Sequence, residues 1–241
     1  YLKNEVTFLD PTISRIQGMA PVQSTDLSTQ FEVGYPIWYM RGYQYEGVDK
    51  ATGKPILADL DGSGVIDAND QTMVGCGIPD LTYGLTVNIA WKGIDFTLFG
   101  TGTYGNEIFA VSYRGDRPLY NSLEYFHKNA WTESNTNASM PSAISVVSDS
   151  KFWGSSATVF DGSYFKIKQI QLGYTLPQKW TQKLFISNLR IYASLDDYFT
   201  FSKYPGMDPE TASSGRANSL GFDKGSYPTT KKAVIGINIS F

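Results

Sequence analysis

The stretch Asp59-Leu60-Asp61-Gly62-Ser63-Gly64-Val65-Ile66-Asp67-Ala68-Asn69-Asp70 has the residue types and spacing to hold a calcium ion. A calcium loop of this kind draws oxygen ligands from positions 1, 3, 5, 7, 9 and 12. Here these are Asp59, Asp61, Ser63, the Val65 carbonyl, Asp67 (directly or through a water) and Asp70. Gly64 stands where the sharp turn needs a glycine, and Ile66 can anchor the loop on its apolar side. Two departures limit the reading. The last position is Asp rather than a bidentate Glu, and no amphipathic helices flank the loop. A structural staple on an exposed loop therefore fits better than a helix–loop–helix sensor. An acidic Asp/Gly turn without metal is the plain alternative.

No other constellation reaches chemistry. His127 is the only histidine and sits among Tyr125, Phe126 and Trp131, where a packed or solvated loop residue is expected rather than a base. No Ser/His/Asp set can be built except through it. Asp196 and Asp197 are adjacent, so on a strand they face opposite ways and cannot flank one glycosidic bond. Cys76, in Gly75-Cys76-Gly77, reads as a tolerated loop thiol. There is no phosphate-cradling glycine loop. The chain is not expected to be an enzyme.

The elements that must carry the acidic loop are strands. The chain ends Lys232-Ala233-Val234-Ile235-Gly236-Ile237-Asn238-Ile239-Ser240-Phe241. Side chains alternate across a strand, so Ala233, Ile235, Ile237, Ile239 and Phe241 share one face, and Val234, Gly236, Asn238 and Ser240 the other. The same alternation places Leu81, Tyr83, Leu85, Val87, Ile89 and Trp91 opposite Thr82, Gly84, Thr86, Asn88 and Ala90. A Lys92-Gly93 turn follows, and Ile94, Phe96 and Leu98 continue the apolar face. Leu189, Ile191, Ala193 and Leu195 oppose Arg190, Tyr192, Ser194 and Asp196. Within 162–176, Tyr164, Ile170, Leu172, Tyr174 and Leu176 form an apolar row. Lys166 and Lys168 interrupt its start and are expected beyond any hydrocarbon. Strands of roughly ten residues match what a tilted strand needs to cross a bilayer.

Short and long connections alternate. Lys92-Gly93 and the compact 177–183, with room for one helical turn, are short; 49–79, 106–160 and 202–226 are long. This is the pattern of a transmembrane barrel, with short turns on one side of the membrane and long loops on the other. The long loops 106–160 and 202–226 are where function is expected. With the neighbouring strand ends they bring Tyr104, Tyr113, Tyr120, Tyr125, Trp131, Trp153 and Tyr204 as stacking surface, while the Ser/Asn-rich 134–150 reads as dispensable for assembly.

Composition agrees with an all-β chain. Of 241 residues, 18% are charged and 15% aromatic, with 16 Tyr and 23 Gly. A net charge of −3 without a basic run speaks against nucleic acid. The mean hydropathy is −0.23 and no long apolar run occurs, which excludes a helical span but not a barrel. One cysteine permits no internal disulfide. The chain opens Tyr1-Leu2-Lys3-Asn4 without an initiator Met, and reads as a processed protein or a piece of a longer one.

Several ordered motifs resemble the C-terminal part of a SusC/RagA-like TonB-dependent outer-membrane transporter. They are Lys3-Asn4-Glu5-Val6-Thr7, Gly34-Tyr35-Pro36-Ile37-Trp38, the acidic loop with Val74-Gly75, and Pro79-Asp80-Leu81-Thr82-Tyr83-Gly84. Leu189-Arg190-Ile191-Tyr192-Ala193-Ser194, Tyr204-Pro205-Gly206-Met207-Asp208-Pro209-Glu210, Tyr227-Pro228-Thr229 and the closing Phe241 complete the series, which covers nearly the whole chain. Asp196-Asp197 departs from an Asn-containing segment usual in the family, and Cys76 from a polar residue. The resemblance implies a plugged antiparallel barrel of about 22 strands, of which residues 1–241 supply the last strands and their extracellular loops. It implies that the plug and the TonB box lie N-terminal to Tyr1. It further implies a multi-pass place in the cell outer membrane and active import of glycans or peptides. The partners implied are a SusD-like lipoprotein lid, the TonB complex, the N-terminal barrel and outer-membrane lipid. The alternative is a secreted, calcium-stabilised β-sandwich that binds carbohydrate through exposed aromatics. It shares the acidic loop and predicts compact loops and a soluble chain.

Overall fold

A computed structural model describes residues 4–21, 25–111, 124–147, 149–213 and 215–241. In chain order the strands are β1 (Arg15–Gln17), β2 (Ser28–Glu32), β3 (Tyr39–Tyr43), β4 (Tyr45–Val48), β5 (Pro55–Leu57), β6 (Gln71–Gly75), β7 (Leu81–Trp91), β8 (Ile94–Tyr104), β9 (Glu107–Ala110), β10 (Val159–Asp161), β11 (Tyr164–Thr175), β12 (Asn188–Ser202), β13 (Phe222–Asp223) and β14 (Lys232–Ser240). The helices are short: α1 (Glu124–Asn129), α2 (Ser150–Trp153) and α3 (Gln178–Thr181).

Five long strands form one antiparallel sheet in the order β14-β12-β11-β8-β7, a meander in which chain neighbours are also sheet neighbours. Its register keeps one face apolar throughout. Leu85 faces Gly100, Val87 faces Leu98 and Ile89 faces Phe96. Leu172 then faces Phe96 and Ala193, and Ile237 faces Ile191. The opposite face carries pairs such as Asn88–Thr97, Gln171–Ser194 and Arg190–Asn238. The expected alternation of β7, β8, β12 and β14 is thus what the sheet shows. Phe99 is an aromatic exception on the polar face, opposite Thr86.

β11 departs from the expected row. The pairing shifts between Ile167 and Gln169, leaving Lys168 as a bulge. One extra residue inverts the side-chain parity. Phe165 and Ile167 therefore join Ile170, Leu172 and Tyr174 on the apolar face, while Tyr164 and Lys166 turn to the polar face. The bulge carries Lys166 to the polar side of the sheet, so it does not interrupt the apolar row.

The sheet is sheared. Trp91, Ile94, Tyr174, Ile191 and Ile237 occupy one row of paired residues, yet Trp91 ends β7 while Ile237 lies in the middle of β14. Such stagger accompanies strands that tilt within a barrel.

The short connections, Lys92-Gly93 and the 176–187 segment containing α3, lie at one end. There Thr175 donates its amide to the Gly93 carbonyl, and Ser187 to that of Ser240. The long connections gather at the other end and are not bare loops. β1-β2-β3-β6 form one small sheet, β4-β5 a hairpin, and β10-β9-β13 a third sheet whose β9-β13 pair is parallel. Together with α1 and α2 they enclose two cores. One contains Ile108, Ala110, Phe126, Met140, Val146, Phe152 and Trp153; the other contains Leu27, Met40, Phe109, Val111 and Phe222. Among the described residues, no buried apolar side chain belongs to the five long strands. The hydrophobic core lies in this cap, and the sheet leaves its apolar face open.

Candidate functional site

The acidic loop leaves β5 and returns through a short 3₁₀ turn, Ala68–Asp70, into β6. Gly62 (φ 72°) and Gly64 (φ 81°) adopt the left-handed conformation that lets it curl. The Asp59 carboxylate accepts the amides of Gly62 (2.8 Å), Ser63 (3.1 Å) and Gly64 (2.8 Å). Asp61 accepts the amide of Ser63 at 2.9 Å. Asp70 is fully buried and accepts the amides of Leu60 and Asp67, each at 2.7 Å. The Asp67 amide above all holds the Asp70 carboxyl below the usual carboxylate range, against the opposing effect of burial.

Carboxylate oxygens of Asp59, Asp61 and Asp70 lie within 4.8 Å of one another. Ligands on opposite sides of a calcium ion are separated by about twice a 2.3–2.6 Å bond, so this spacing fits one ion. The other expected ligands are engaged locally. The Ser63 hydroxyl donates to the Val65 carbonyl at 3.1 Å. Asp67 caps the 3₁₀ turn through the Asn69 amide at 2.7 Å, and Asp70 reciprocates to the Asp67 amide, a capping box. The Asp67-x-x-Asp70 spacing thus serves a capping box as well as ligand spacing.

A second polar constellation was not foreseen. Lys166, 1% exposed, extends from the polar face of β11. Its ammonium donates to both Asp208 carboxylate oxygens (2.9 and 2.8 Å), to Glu210 Oε2 (2.8 Å) and to the Thr229 hydroxyl (2.6 Å). Lys168 donates to both Glu210 oxygens at 3.0 Å and meets Asp197 at 2.6 Å. Asp208 also accepts the amides of Thr229 (3.0 Å) and Glu210 (3.1 Å). Burial pushes the Asp208 carboxyl up, but hydrogen bonds from Lys166 and Thr229 outweigh it, and the net position is below the usual range. The cluster fastens the connection between β12 and β14 to the sheet. The motifs around Asp208-Pro209-Glu210 and Pro228-Thr229 are its anchor points. The signal in the sequence is two lysines in an apolar row followed by one acid-bearing proline motif, Asp208-Pro209-Glu210, and one Pro228-Thr229 motif.

The aromatic residues of the long connections divide. Trp153 and Tyr204, 2% and 7% exposed, are core residues of the cap rather than stacking surface. The Trp153 indole donates to the Val146 carbonyl and the Tyr204 hydroxyl to Asp223. Trp131 is half-buried and donates to the Lys50 carbonyl. Tyr104 and Tyr125 are exposed, whereas Tyr113 and Tyr120 lie outside the described residues. Met140 and Val146 are buried, so 134–150 is not loose throughout; residues 134–139 form an exposed or half-exposed tip.

The residues weighed for catalysis stay apart. His127 is exposed on α1. Cys76 is buried, and burial pushes its thiol up, away from reactivity. Asp197 is held by Lys168, while Asp196 accepts from Ser194.

No family profile matches the chain. Among curated proteins it is similar to TonB-dependent receptor P3 of Formosa agariphila, 31% identical over 230 residues, covering 86% of this chain and 22% of that protein. It is also similar to TonB-dependent receptor SusC of Bacteroides thetaiotaomicron, 28% identical over 204 residues, covering 83% of this chain and 19% of SusC. The chain thus spans about a fifth of the length of these curated relatives. Among solved structures, the RagAB peptide importer in its closed-closed state matches with a TM-score of 0.75 and 25% identity, over 98% of this chain and 26% of that one.

Proposed function

Because the chain belongs to the SusC/RagA-like TonB-dependent receptors, we propose that it forms wall and outer loops of an outer-membrane active importer of glycans or peptides. The observation that carries this reading is the continuous apolar face of a sheared five-stranded meander, uncovered by any second sheet among the described residues. A β-sandwich would bury that face. In a barrel wall it meets lipid, and the Thr, Asn, Gln and Arg face lines a wet interior. From Tyr83 to Trp91 the apolar row of β7 spans about 26 Å of strand. At a tilt of about 40° this becomes roughly 20 Å of height, close to the apolar band of such barrels. Trp91, 64% exposed with Lys92 over its ring, and the exposed Trp180, Phe185 and Phe241 mark the short-connection end. That end is the periplasmic one in this reading, and the cap is extracellular.

The relatives are named as receptors and importers, and no covalent chemistry is assigned to this chain. Residues 1–241 act as one portion of a barrel whose plug and remaining strands complete the transporter. A SusD-like lipoprotein closes the extracellular mouth over the cap, and the TonB complex supplies energy through the plug. The acidic loop holds calcium through Asp59, Asp61 and Asp70, with Ser63, Val65 and Asp67 adjoining, and staples the cap. The experiment is uptake of labelled oligosaccharide and oligopeptide by cells with and without the full-length protein, alongside fractionation. Accumulation that requires both this protein and TonB, with the protein in the outer membrane, supports the reading. Recovery of the full-length protein in the soluble secreted fraction overturns it in favour of the sandwich.

A further inference from the structure

A recess of about 130 Å³ lies where the polar face of the long sheet meets the cap. Thr103 of β8 and Tyr164 of β11, a cross-strand pair on that face, line it from the sheet. The connection between β12 and β14 contributes Pro209, Glu210 and Ser213. Pro79 and Leu220 complete it where two backbones touch. A Cβ on Gly77 would lie 2.2 Å from the Leu220 carbonyl oxygen, and one on Gly221 would lie 2.8 Å from the Gly77 Cα. Glycine at both positions permits that crossing.

The recess is polar and its hydrogen bonding is unfinished. Asn106, 9% exposed, accepts the Thr103 hydroxyl at 2.9 Å through its side-chain oxygen. Its amide nitrogen makes no hydrogen bond to the described residues, and neither does the Tyr164 hydroxyl. Groups this deep call for partners. Glu210 is the one charged residue of the lining. Lys166 at 2.8 Å and Lys168 at 3.0 Å already neutralise it, so the recess neither demands a cation nor attracts an anion. What fits is neutral and carries several hydroxyls, each able to donate and accept. One pyranose ring meets that description. It offers an acceptor to Asn106, a donor to Glu210 and either to Tyr164 and Ser213, while its C–H face lies against proline and leucine. An amino-acid side chain brings a single polar head and leaves the other groups unpaired. Pockets for drug-sized ligands run to roughly 300–1,000 Å³, so this one admits a ring rather than a chain. The bonds of Lys166 to Asp208 and Thr229 hold the connection in place before any ligand arrives.

We propose that this recess binds one neutral sugar ring of a glycan at the outer end of the importer's interior. The proposal rests on the importer reading above and selects glycan over peptide for this site. The test is calorimetric titration of full-length transporter, purified in a sugar-free amine-oxide detergent. The titrants are neutral oligosaccharides of glucose, mannose, galactose and xylose, and a Ser/Gly oligopeptide. Tyr164→Phe keeps the ring and removes the hydroxyl. Asn106→Asp keeps the acceptor for Thr103 and removes the donor. Each is expected to weaken binding of a saccharide about fivefold, while Tyr227→Phe, at an exposed phenol outside the recess, leaves it unchanged. Mobility on unheated gels checks folding, and if Asn106→Asp does not fold, Tyr164→Phe decides. A wild type that binds none of the saccharides overturns the proposal. So does equal saccharide affinity in wild type and Tyr164→Phe, or a peptide bound as tightly and lost in the same variants. Failure of the importer reading shows elsewhere: cells lacking the full-length protein would accumulate both labelled cargoes as wild-type cells do.

Discussion

Ile237→Arg is the substitution that separates a lipid-facing strand from any other. Ile237 is 59% exposed and pairs with Ile191 on the apolar face. Its depth follows from the stagger of the sheet. Phe241, four residues on, is at the short-connection end, about 13 Å away along the strand. At a tilt of about 40° that is roughly 10 Å of height, which places Ile237 near the middle of an apolar band about 25 Å tall. Arginine at such a depth costs about 2–4 kcal/mol, a fall of about thirtyfold to several-hundredfold in the folded population. Asn238, on the other face opposite Arg190, is expected to accept arginine with about 1 kcal/mol or less. The measurement is the urea midpoint of full-length transporter refolded into liposomes, read by the mobility shift of folded barrels on unheated gels. Equal shifts for Ile237→Arg and Asn238→Arg would refute the assignment of faces. A larger shift at Asn238 would reverse inside and outside.

Four further outcomes follow from the cap and its anchors. Calcium is expected to protect the 58–70 segment from proteolysis in wild type and not in Asp59→Ala/Asp61→Ala, and protection independent of calcium would remove the ion from the loop. Lys166→Met leaves Asp208 buried beside Glu210 without its cation and should cost about 3 kcal/mol or more of local stability, seen as faster amide exchange across 203–231. Because the folded Asp208 carboxyl titrates below its unfolded value of about 3.9, its contribution is present above that value and lost as pH falls through the folded one. Cleavage within 203–231 should therefore be flat from pH 7 to about 5 and rise only below about 4; a rise near pH 6 would mean another group holds the loop. Excision of 134–138 is expected to spare barrel assembly, whereas excision of 134–150 removes the buried Met140 and Val146 and should release the cap from its protease resistance.

The strands were legible because alternation is a local property, and it gave the faces of β7, β8, β12 and β14 directly. β11 was misread at its start because a bulge shifts parity without leaving a glycine or proline to announce it. Lys166 shows the cost: a lysine inside an apolar row looks like the end of a membrane band, and only the pairing register reveals that it faces the other way. Its partners Asp208, Glu210 and Thr229 lie 42 to 63 residues away, a distance no periodicity bridges. The acidic loop was legible in its residues, though not in the division of labour between the Asp59, Asp61 and Asp70 triad and the capping role of Asp67. The cap was the least legible part. Its strands are two to five residues long and owe their existence to packing between segments far apart in sequence, as where Gly154 meets Gly42.

A core confined to the connections between strands sets an order of events for the making of this protein. With the cap outside, as proposed above, segments 4–80, 105–163 and 203–231 pass through the membrane as chain before any of them can pack, since a folded body of that size could not follow a hairpin through. The apolar sheet can settle as soon as each pair of strands meets lipid, with no core to wait for. In this reading Phe109 meets Phe222 only afterwards, on the far side, and Phe152 joins the other core there. The ammonium of Lys166, carried in with β11, is then already in position when Asp208 arrives, and its pairing marks the closing of the connection between β12 and β14. Slow steps in biogenesis are accordingly to be sought outside the membrane, in the cap, while the wall beneath it already stands.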